Sequence, residues 1–328
     1  MKAVVCTKYG EPEVLELKEV PKPIPKVNEV LVKIYATTVC AADYKVRSFD
    51  IPASFWLPAR LMVGLRKPRK SILGMELSGV IEAVGKDVKL FEKGDKVFAA
   101  TLKTFGAYTE YKCLPEDGPI SLKPTNISLE EAAAIPIGAR TAFHYLKTIG
   151  NIQPEQKVLI YGASGSVGTY AVQLAKYFGA EVTAVCSTIN LDLVKSLGAD
   201  KVIDYKTVDY TKSFETYDII FITVDKCPFI ACEKALSDKG IYLNVGRPIK
   251  SFQMIWTSLT SRKRFIVGEN SPETAEVLIK LRNLVEEGQL QVVIDRIYSI
   301  DEIVDAHRYA DKGHKKGNVV ITVNQDFS

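Results

Sequence analysis

The sequence predicts an α/β chain of two domains, a short-stranded β domain followed by a doubly wound parallel sheet. Its 328 residues exceed what one small core uses. Short strands separated by Gly- and Pro-marked turns run to about Asn126. From Lys157 onward, apolar strands alternate strictly with amphipathic helices, an order that right-handed crossovers turn into a parallel sheet covered on both faces. The expected division is residues 1–126 with 271–328 in the first domain and 127–270 in the second.

The elements follow in order. Residues 1–6 alternate like a strand, and 29–36 are rich in β-formers. Strands are expected at 78–85, at 96–99 after the Lys93-Gly94-Asp95 turn, and at 106–111, together a small barrel or twisted sheets. Ser128-Leu129-Glu130-Glu131 is a capping box that opens a helix. Parallel strands are expected at 158–161, 181–185, 201–203, 218–222, 241–245 and 265–267. The intervening helices are expected at 166–178, 191–197, 229–237 and 272–287. A further strand at 292–294, a helix at 301–311 and a last strand at 318–323 form a tail expected to rejoin the first domain.

Composition excludes several classes. Hydrophobic residues at 47% and charged residues at 25% are those of a globular protein, and the apolar runs are only strand-length. Residues 1–6 lead into Lys8 and Glu11 rather than a signal-peptide core, so a cytoplasmic location is expected. The net charge of +4 is a weak bias. Arg66-Lys67-Pro68-Arg69-Lys70 and Arg262-Lys263-Arg264 lack interleaved aromatics and read as solvated loop charge; neither nucleic acid nor membrane is expected as a partner. Six cysteines without a C-x-x-C pair argue against a zinc knuckle or a redox dithiol. His144, His307 and His314 lie far apart and suggest no hydrolase triad.

The strongest motif is Gly162-Ala163-Ser164-Gly165-Ser166-Val167-Gly168, placed between an apolar strand and a helix. In that setting it reads as a dinucleotide-binding turn. Gly165 lets the backbone approach a diphosphate and Gly168 lets helix and strand pack closely. The N–H groups around Ser166 and Val167 then meet the phosphates, favoured by the helix dipole. The second strand of this sheet ends in Cys186-Ser187-Thr188 without the carboxylate that holds the ribose hydroxyls of NAD. Ser187 and Thr188 can donate to a 2′-phosphate, so NADPH is the expected cofactor and NADH the alternative. Ile189 and Asn190 supply no adjacent cation.

Met1-Lys2-Ala3-Val4, Asn28–Lys33, Gly74-Met75-Glu76-Leu77-Ser78-Gly79-Val80, Gly94-Asp95-Lys96-Val97, Glu131–Pro136, the glycine turn, Leu197-Gly198-Ala199-Asp200 and Gly317-Asn318-Val319-Val320 together resemble the medium-chain dehydrogenase/reductases, in family order along the chain. The resemblance implies a GroES-like β-barrel catalytic domain and a Rossmann cofactor domain, with the active site in a cleft between them. It extends the cofactor surface to Thr141, Tyr205, Val224 and Gly246. Zinc-dependent members hold their metal by a Cys, a His and a later Cys or Asp. Here Cys40 fills the first position, Met75 the second, and no such ligand stands near residues 136–140; the four-cysteine lobe is also missing. The chain thus resembles the zinc-independent quinone oxidoreductase-like branch, and no metal site is expected. Members often carry a basic residue where Ile189 stands and a Lys where Asn318 stands, and the Thr223-Val224-Asp225 stretch departs from the family's fourth strand.

Without a Lewis acid, the implied reaction is hydride transfer to an electron-poor acceptor, a quinone or an α,β-unsaturated carbonyl. Enoyl-thioester reduction and a nucleotide-binding regulatory role with little catalysis are the alternatives. The acceptor would lie beside residues 40–44 and against Thr141. Tyr44 is a candidate donor to the developing oxygen anion or else a packed aromatic. Asp43 is an acid or a structural acceptor, and Cys40 a reactive thiol or an inert lining residue. Residues 55–62 are a lid or a loop packed on the barrel. A homodimer is expected through the edge strand containing Phe265 and Ile266.

Overall fold

Alternating apolar residues build the first sheet around one long strand. The computed structural model describes residues 1–50, 56–208, 215–224, 229–246, 252–269 and 271–324. β1 (Lys2–Cys6) and β2 (Leu15–Glu19) form an antiparallel pair. β3 (Glu29–Thr38) is followed by α1 (Ala41–Ser48), α2 (Trp56–Val63), β4 (Glu76–Val84), β5 (Lys96–Ala100), β6 (Tyr111–Pro115) and β7 (Ile120–Leu122). β3 pairs antiparallel with both β4 and β6, and β4–β5–β7 continue the sheet. Val30, Val32 and Ile34 of β3 are buried against Leu77, Ile81, Val97, Leu114 and Ile120, each worth roughly 1.5–3 kcal/mol on leaving water.

The strand expected at 106–111 is displaced. Phe105 and Gly106 both have left-handed backbone (φ 55° and 85°) and turn the chain. The Gly106 and Tyr108 N–H groups then bond back to the Leu73 carbonyl, and the strand starts only at Tyr111. The capping box forms as read: the Ser128 hydroxyl accepts from the Glu131 N–H at 3.2 Å, and the Glu131 carboxylate accepts from the Ser128 N–H at 2.8 Å. It opens α3 (Leu129–Ala133), which packs in the first unit. The Ser78 hydroxyl donates to the Leu129 carbonyl, and Ala133 and Ala134 lie against Ala36 and Val320. The compact first unit therefore extends to Ile137, beyond the expected 126.

The second unit is Gly138–Pro272 with Gly288–Gln291. α4 (Gly138–Phe143) leads to β8 (Lys157–Tyr161), α5 (Ser166–Tyr177), β9 (Glu181–Cys186), α6 (Leu191–Ser196), β10 (Lys201–Asp204), β11 (Tyr217–Ile222), α7 (Phe229–Ala235), β12 (Leu236–Asn244), α8 (Phe252–Thr260) and β13 (Arg264–Val267). All six strands are parallel, in the order β10-β9-β8-β11-β12-β13. Strand order reverses between β8 and β11, the position at which such sheets bind ligands beyond their carboxyl ends. The helix expected at 229–237 stops at Ala235. Leu236 already pairs with Tyr217, and a bulge follows before Ile241 meets Ile219.

The chain then returns to the first unit through α9 (Ala275–Glu286), β14 (Ile294–Ser299), α10 (Ile303–Asp311) and β15 (Asn318–Thr322). β15 runs antiparallel to β3, with Val320 opposite Thr38, and parallel to β14. Among the described residues, no helix is long and apolar enough to cross a membrane.

A buried cation ties α1 to α10. The Arg47 guanidinium is 1% exposed, donates to the Gly10 carbonyl at 2.9 Å, and pairs with Asp311 at 2.5 Å. Removing only the carboxylate strands a buried charge, whereas an aliphatic isostere removes the charge itself. Urea unfolding is expected to show Asp311→Asn costing about 3 kcal/mol and Arg47→Met distinctly less.

Candidate dinucleotide turn and buried polar cluster

Close backbone approach defines the turn after β8. Gly162 has φ +82°, and its N–H and that of Ala163 both bond to the Val185 carbonyl on β9 at 3.0 and 3.1 Å. Gly168 is where α5 meets the strand. A Cβ there would lie 2.7 Å from Ala163 Cα and closer still to the Gly162 carbonyl oxygen. Gly165 differs: a Cβ would meet only the Gly162 oxygen at 3.5 Å, so the protein's own packing does not require glycine there. Gly165 is the N-cap of α5 and contributes no side-chain hydrogen bond. The space beside Gly165, at the N-cap of a twelve-residue helix, is thus left open and Gly165 brings no side-chain cap to it, a cradle that fits a diphosphate. Ala163 is fully buried, while Ser164, Ser166 and Val167 are half-buried.

Thr223 fixes this turn. Its hydroxyl lies 3.0 Å from both the Tyr161 and Gly162 carbonyl oxygens, and its N–H donates to Tyr161 O at 3.0 Å. Val224 packs over the Gly162 Cα and is about one-third exposed. The departure from the family pattern at Thr223-Val224 therefore has a structural role; Asp225 lies outside the described residues. Gly246 donates its N–H to the Asn244 side chain at 2.7 Å, at the carboxyl end of β12.

At the end of β9, the side-chain amide of buried Asn190 donates to Ser164 Oγ at 3.0 Å and to Ser187 Oγ at 3.2 Å. An oxygen that accepts from an amide directs its own proton elsewhere, so both serines point a donor away from Asn190. The Asn190 oxygen is buried without a partner. Thr188 behaves differently. Its hydroxyl donates to Asp204 Oδ2 at 2.6 Å, and with the Lys206 N–H it holds the Asp204 carboxyl below its ordinary pKa. Thr188 therefore has no proton left for a ligand while that bond stands. Exposed Tyr205 bonds through its N–H to the Cys186 carbonyl and lies 6.3 Å, ring to ring, from Tyr161. Thr141 lies half-buried on α4. Asn190 and Thr223 escaped the sequence reading; only the polar residue type at each position offered a signal.

In the first unit, the residues around α1 form a buried polar cluster. Asp43 accepts from the Cys40 and Gly74 N–H groups, both at 3.0 Å. Burial pushes its carboxyl up to about 6. Glu76 accepts from the Thr38 hydroxyl and, at 2.7 Å, from the Ile137 N–H; burial pushes it up to about 7. The Cys40 thiol is raised well above its ordinary pKa by burial, then by Asp43 and Glu76. Burial lowers the Lys315 ammonium while Cys40, Glu76 and Asp295 oppose that, and its Nζ donates to the Gly317 carbonyl at 2.8 Å. Tyr44 is half-buried against the cluster that holds Val39, Leu73 and Ile303. Glu76 and Lys315 were not singled out from sequence, since nothing local marks Glu76 as buried or the half-buried Lys315 as acting on it.

This donor set does not suit zinc. Cys40 Sγ lies 3.8 Å from Met75 Sδ, the thiol is held in its protonated form, and a thioether is a poor Zn²⁺ ligand. Among the described residues, no three His, Cys, Asp or Glu side chains converge in a metal-binding group.

Comparison with known proteins bears on both units. Residues 26–124 match the alcohol dehydrogenase GroES-like domain, and residues 197–321 match the family described as zinc-binding dehydrogenase. The spinach quinone-oxidoreductase homolog, chloroplastic, is 34% identical, the match covering 98% of each chain. The tomato 2-methylene-furan-3-one reductase is 33% identical over 98% of this chain and 79% of its own. The quinone oxidoreductase structure from Coxiella burnetii superposes with a TM-score of 0.87 at 29% identity, covering 99% of both chains.

The geometry fixes two outcomes. Gly168→Ala forces α5 away from the turn, so dinucleotide affinity measured by calorimetry should fall by about tenfold or more, with stability down by about 2 kcal/mol. The raised Asp43 and Glu76 carboxyls bind protons more tightly folded than unfolded. Their stabilisation is complete below about pH 4 and is lost as pH rises through about 6 and 7. The melting temperature should therefore fall between pH 5 and 8 by several degrees, and Glu76→Gln should flatten part of that fall.

Proposed function

Because the chain belongs to the medium-chain dehydrogenase/reductases, in their quinone oxidoreductase-like branch, we propose that it is an NADPH-dependent oxidoreductase reducing quinones or α,β-unsaturated carbonyls without a catalytic metal. The observation that carries the cofactor assignment is the pair of serine donors, Ser164 and Ser187, set by Asn190 at the end of β9. Hydroxyl protons directed at an anion favour a 2′-phosphate, and the ionised Asp204 nearby is masked by Thr188 and the Lys206 N–H.

The reduced nicotinamide, when bound, supplies the hydride. The chain's part is to place the diphosphate at the uncapped start of α5, with Thr223 and Gly168 holding the turn rigid. On the acceptor side we assign Tyr44 the role of donor to the acceptor oxygen. The buried Cys40 thiol, with its raised pKa, lines this region without acting as a nucleophile. A site without a Lewis-acid metal suits acceptors whose own conjugation accommodates the added electron pair, which favours quinones and enones over simple ketones.

The test is the ratio of NADPH to NADH dissociation constants in the native protein and in Asn190→Asp. An aspartate of nearly the same shape draws both serine protons inward and adds a negative charge. NADPH affinity should drop by about tenfold or more, with NADH affinity changing far less. An unchanged ratio would remove the NADPH assignment, and failure of both nucleotides to bind the native protein would remove the oxidoreductase reading as well.

A further inference from the structure

α2 is the least covered apolar element among the described residues. Its sequence is Trp-Leu-Pro-Ala-Arg-Leu-Met-Val, and none of its eight residues is buried. Leu57, Leu61, Met62 and, just beyond the helix, Leu65 are between 56% and 76% exposed. Isolated apolar residues on a surface are ordinary, but four large aliphatic chains within nine residues are not.

The element holds its shape despite this exposure. The Arg60 guanidinium sits over the rings of Phe49, Tyr9 and Trp56, at 4.1, 4.3 and 5.0 Å from their centroids. It also donates to the Leu65 carbonyl at 2.8 Å. The Tyr9 hydroxyl donates to the Gly64 carbonyl at 3.0 Å, and Arg69 returns to the Val63 and Leu61 carbonyls at 2.8 and 2.7 Å. The aliphatic side chains are thus presented outward by a fixed backbone, and little ordering cost remains for a binding event.

Charge identifies the partner. Between Asp50 and Glu76 the chain carries Arg60, Arg66, Lys67, Arg69 and Lys70 and no acidic residue at all. Arg66 and Lys67 are exposed immediately after the apolar helix. We propose that α2 and the basic segment behind it seat the protein on an anionic phospholipid surface, the aliphatic side chains entering the headgroup–acyl boundary and the cations meeting lipid phosphates. A bilayer takes aliphatic chains without demanding a complementary shape, and two weak signals, apolar and basic, combine there. A nucleic acid would need several exposed stacking rings in the patch, whereas Trp56 is one ring, already under the Arg60 guanidinium, beside four exposed aliphatic side chains. The docking itself stands on α2; only its benefit, access to apolar acceptors dissolved in the bilayer, rests on the function proposed above.

The experiment is flotation of the full chain with vesicles of phosphatidylcholine alone and with vesicles in which about a third of the lipid is phosphatidylglycerol. Partitioning onto the anionic vesicles should be at least about tenfold stronger and should collapse at high salt. Leu57→Asp/Leu61→Asp should abolish it. Arg66→Glu/Lys67→Glu, on an exposed loop where folding is not at stake, should weaken it by about tenfold or more. In a Trp256→Phe background, which leaves Trp56 as the single tryptophan, the emission should shift to the blue on binding. No flotation, or equal flotation on neutral vesicles, overturns the proposal. So does an unbound native protein whose Leu57→Asp/Leu61→Asp variant loses turnover of a water-soluble acceptor, which would assign α2 to the acceptor site. So, too, does a native protein that stays off vesicles while that variant halves the mass seen by light scattering, which would make a second copy the occupant.

Discussion

The contact between the Gly162 carbonyl and the Gly168 backbone is the constraint on which the second unit depends. A helix can begin next to the end of a parallel strand only if no side chain separates them, and Gly168 is where that separation vanishes. Thr223 then secures the same carbonyl from the neighbouring strand, and Val224 covers the glycine from above. The ends of β8, β9 and β11 meet at one turn through the Gly162, Ala163 and Thr223 N–H groups and the Thr223 hydroxyl. Because the turn is fixed from three sides, the helix start can remain uncapped. On the proposed function, the N–H groups at that helix start meet the diphosphate.

The same logic of reserved groups explains the end of β9. Asn190 spends its amide protons on Ser164 and Ser187, joining the glycine turn to the next strand, and thereby decides which way two hydroxyls point. Thr188, in the same short segment, is assigned the opposite way, toward Asp204. Three neighbouring hydroxyls therefore do not act alike. Their polarity is set by their buried partners rather than by their own chemistry.

Much of this frame was legible in the sequence. Gly165 and Gly168 at their spacing, between an apolar strand and an amphipathic helix, announced the turn, and the Ser128–Glu131 box announced α3. Both are local signals, readable within a few residues. What escaped was non-local. Thr223 looked like an unexplained swap because its partners, Tyr161 and Gly162, belong to another strand. Asn190 registered only as a missing cation, since its role lies in whom its amide contacts. The strand expected at 106–111 began late because Phe105 and Gly106 adopt left-handed backbone, which alternation of side chains does not reveal. The boundary expected at 126 fell later because a capped helix says where it starts and not which sheet it covers.

The first unit poses a charge problem that its own residues solve. Cys40, Asp43 and Glu76 are buried together, and three ionised groups of one sign would be prohibitively unstable there. A metal cation is the usual answer to such a cluster; on the metal-free proposal, these residues supply another. The thiol keeps its proton, both carboxyls are raised toward neutrality, and each retained acceptor is met by a backbone N–H or a hydroxyl. Lys315 adds an ammonium whose charge is felt by Cys40 and Glu76. On the proposed metal-free reading, this is why Met75 is tolerable: with no cation to hold, the second position needs only a soft apolar atom that fills space against the neutral sulfur of Cys40. On the same proposal, the cluster holds α1, and with it Tyr44, in one position for the acceptor, and the electron demand of the reaction passes to the acceptor itself.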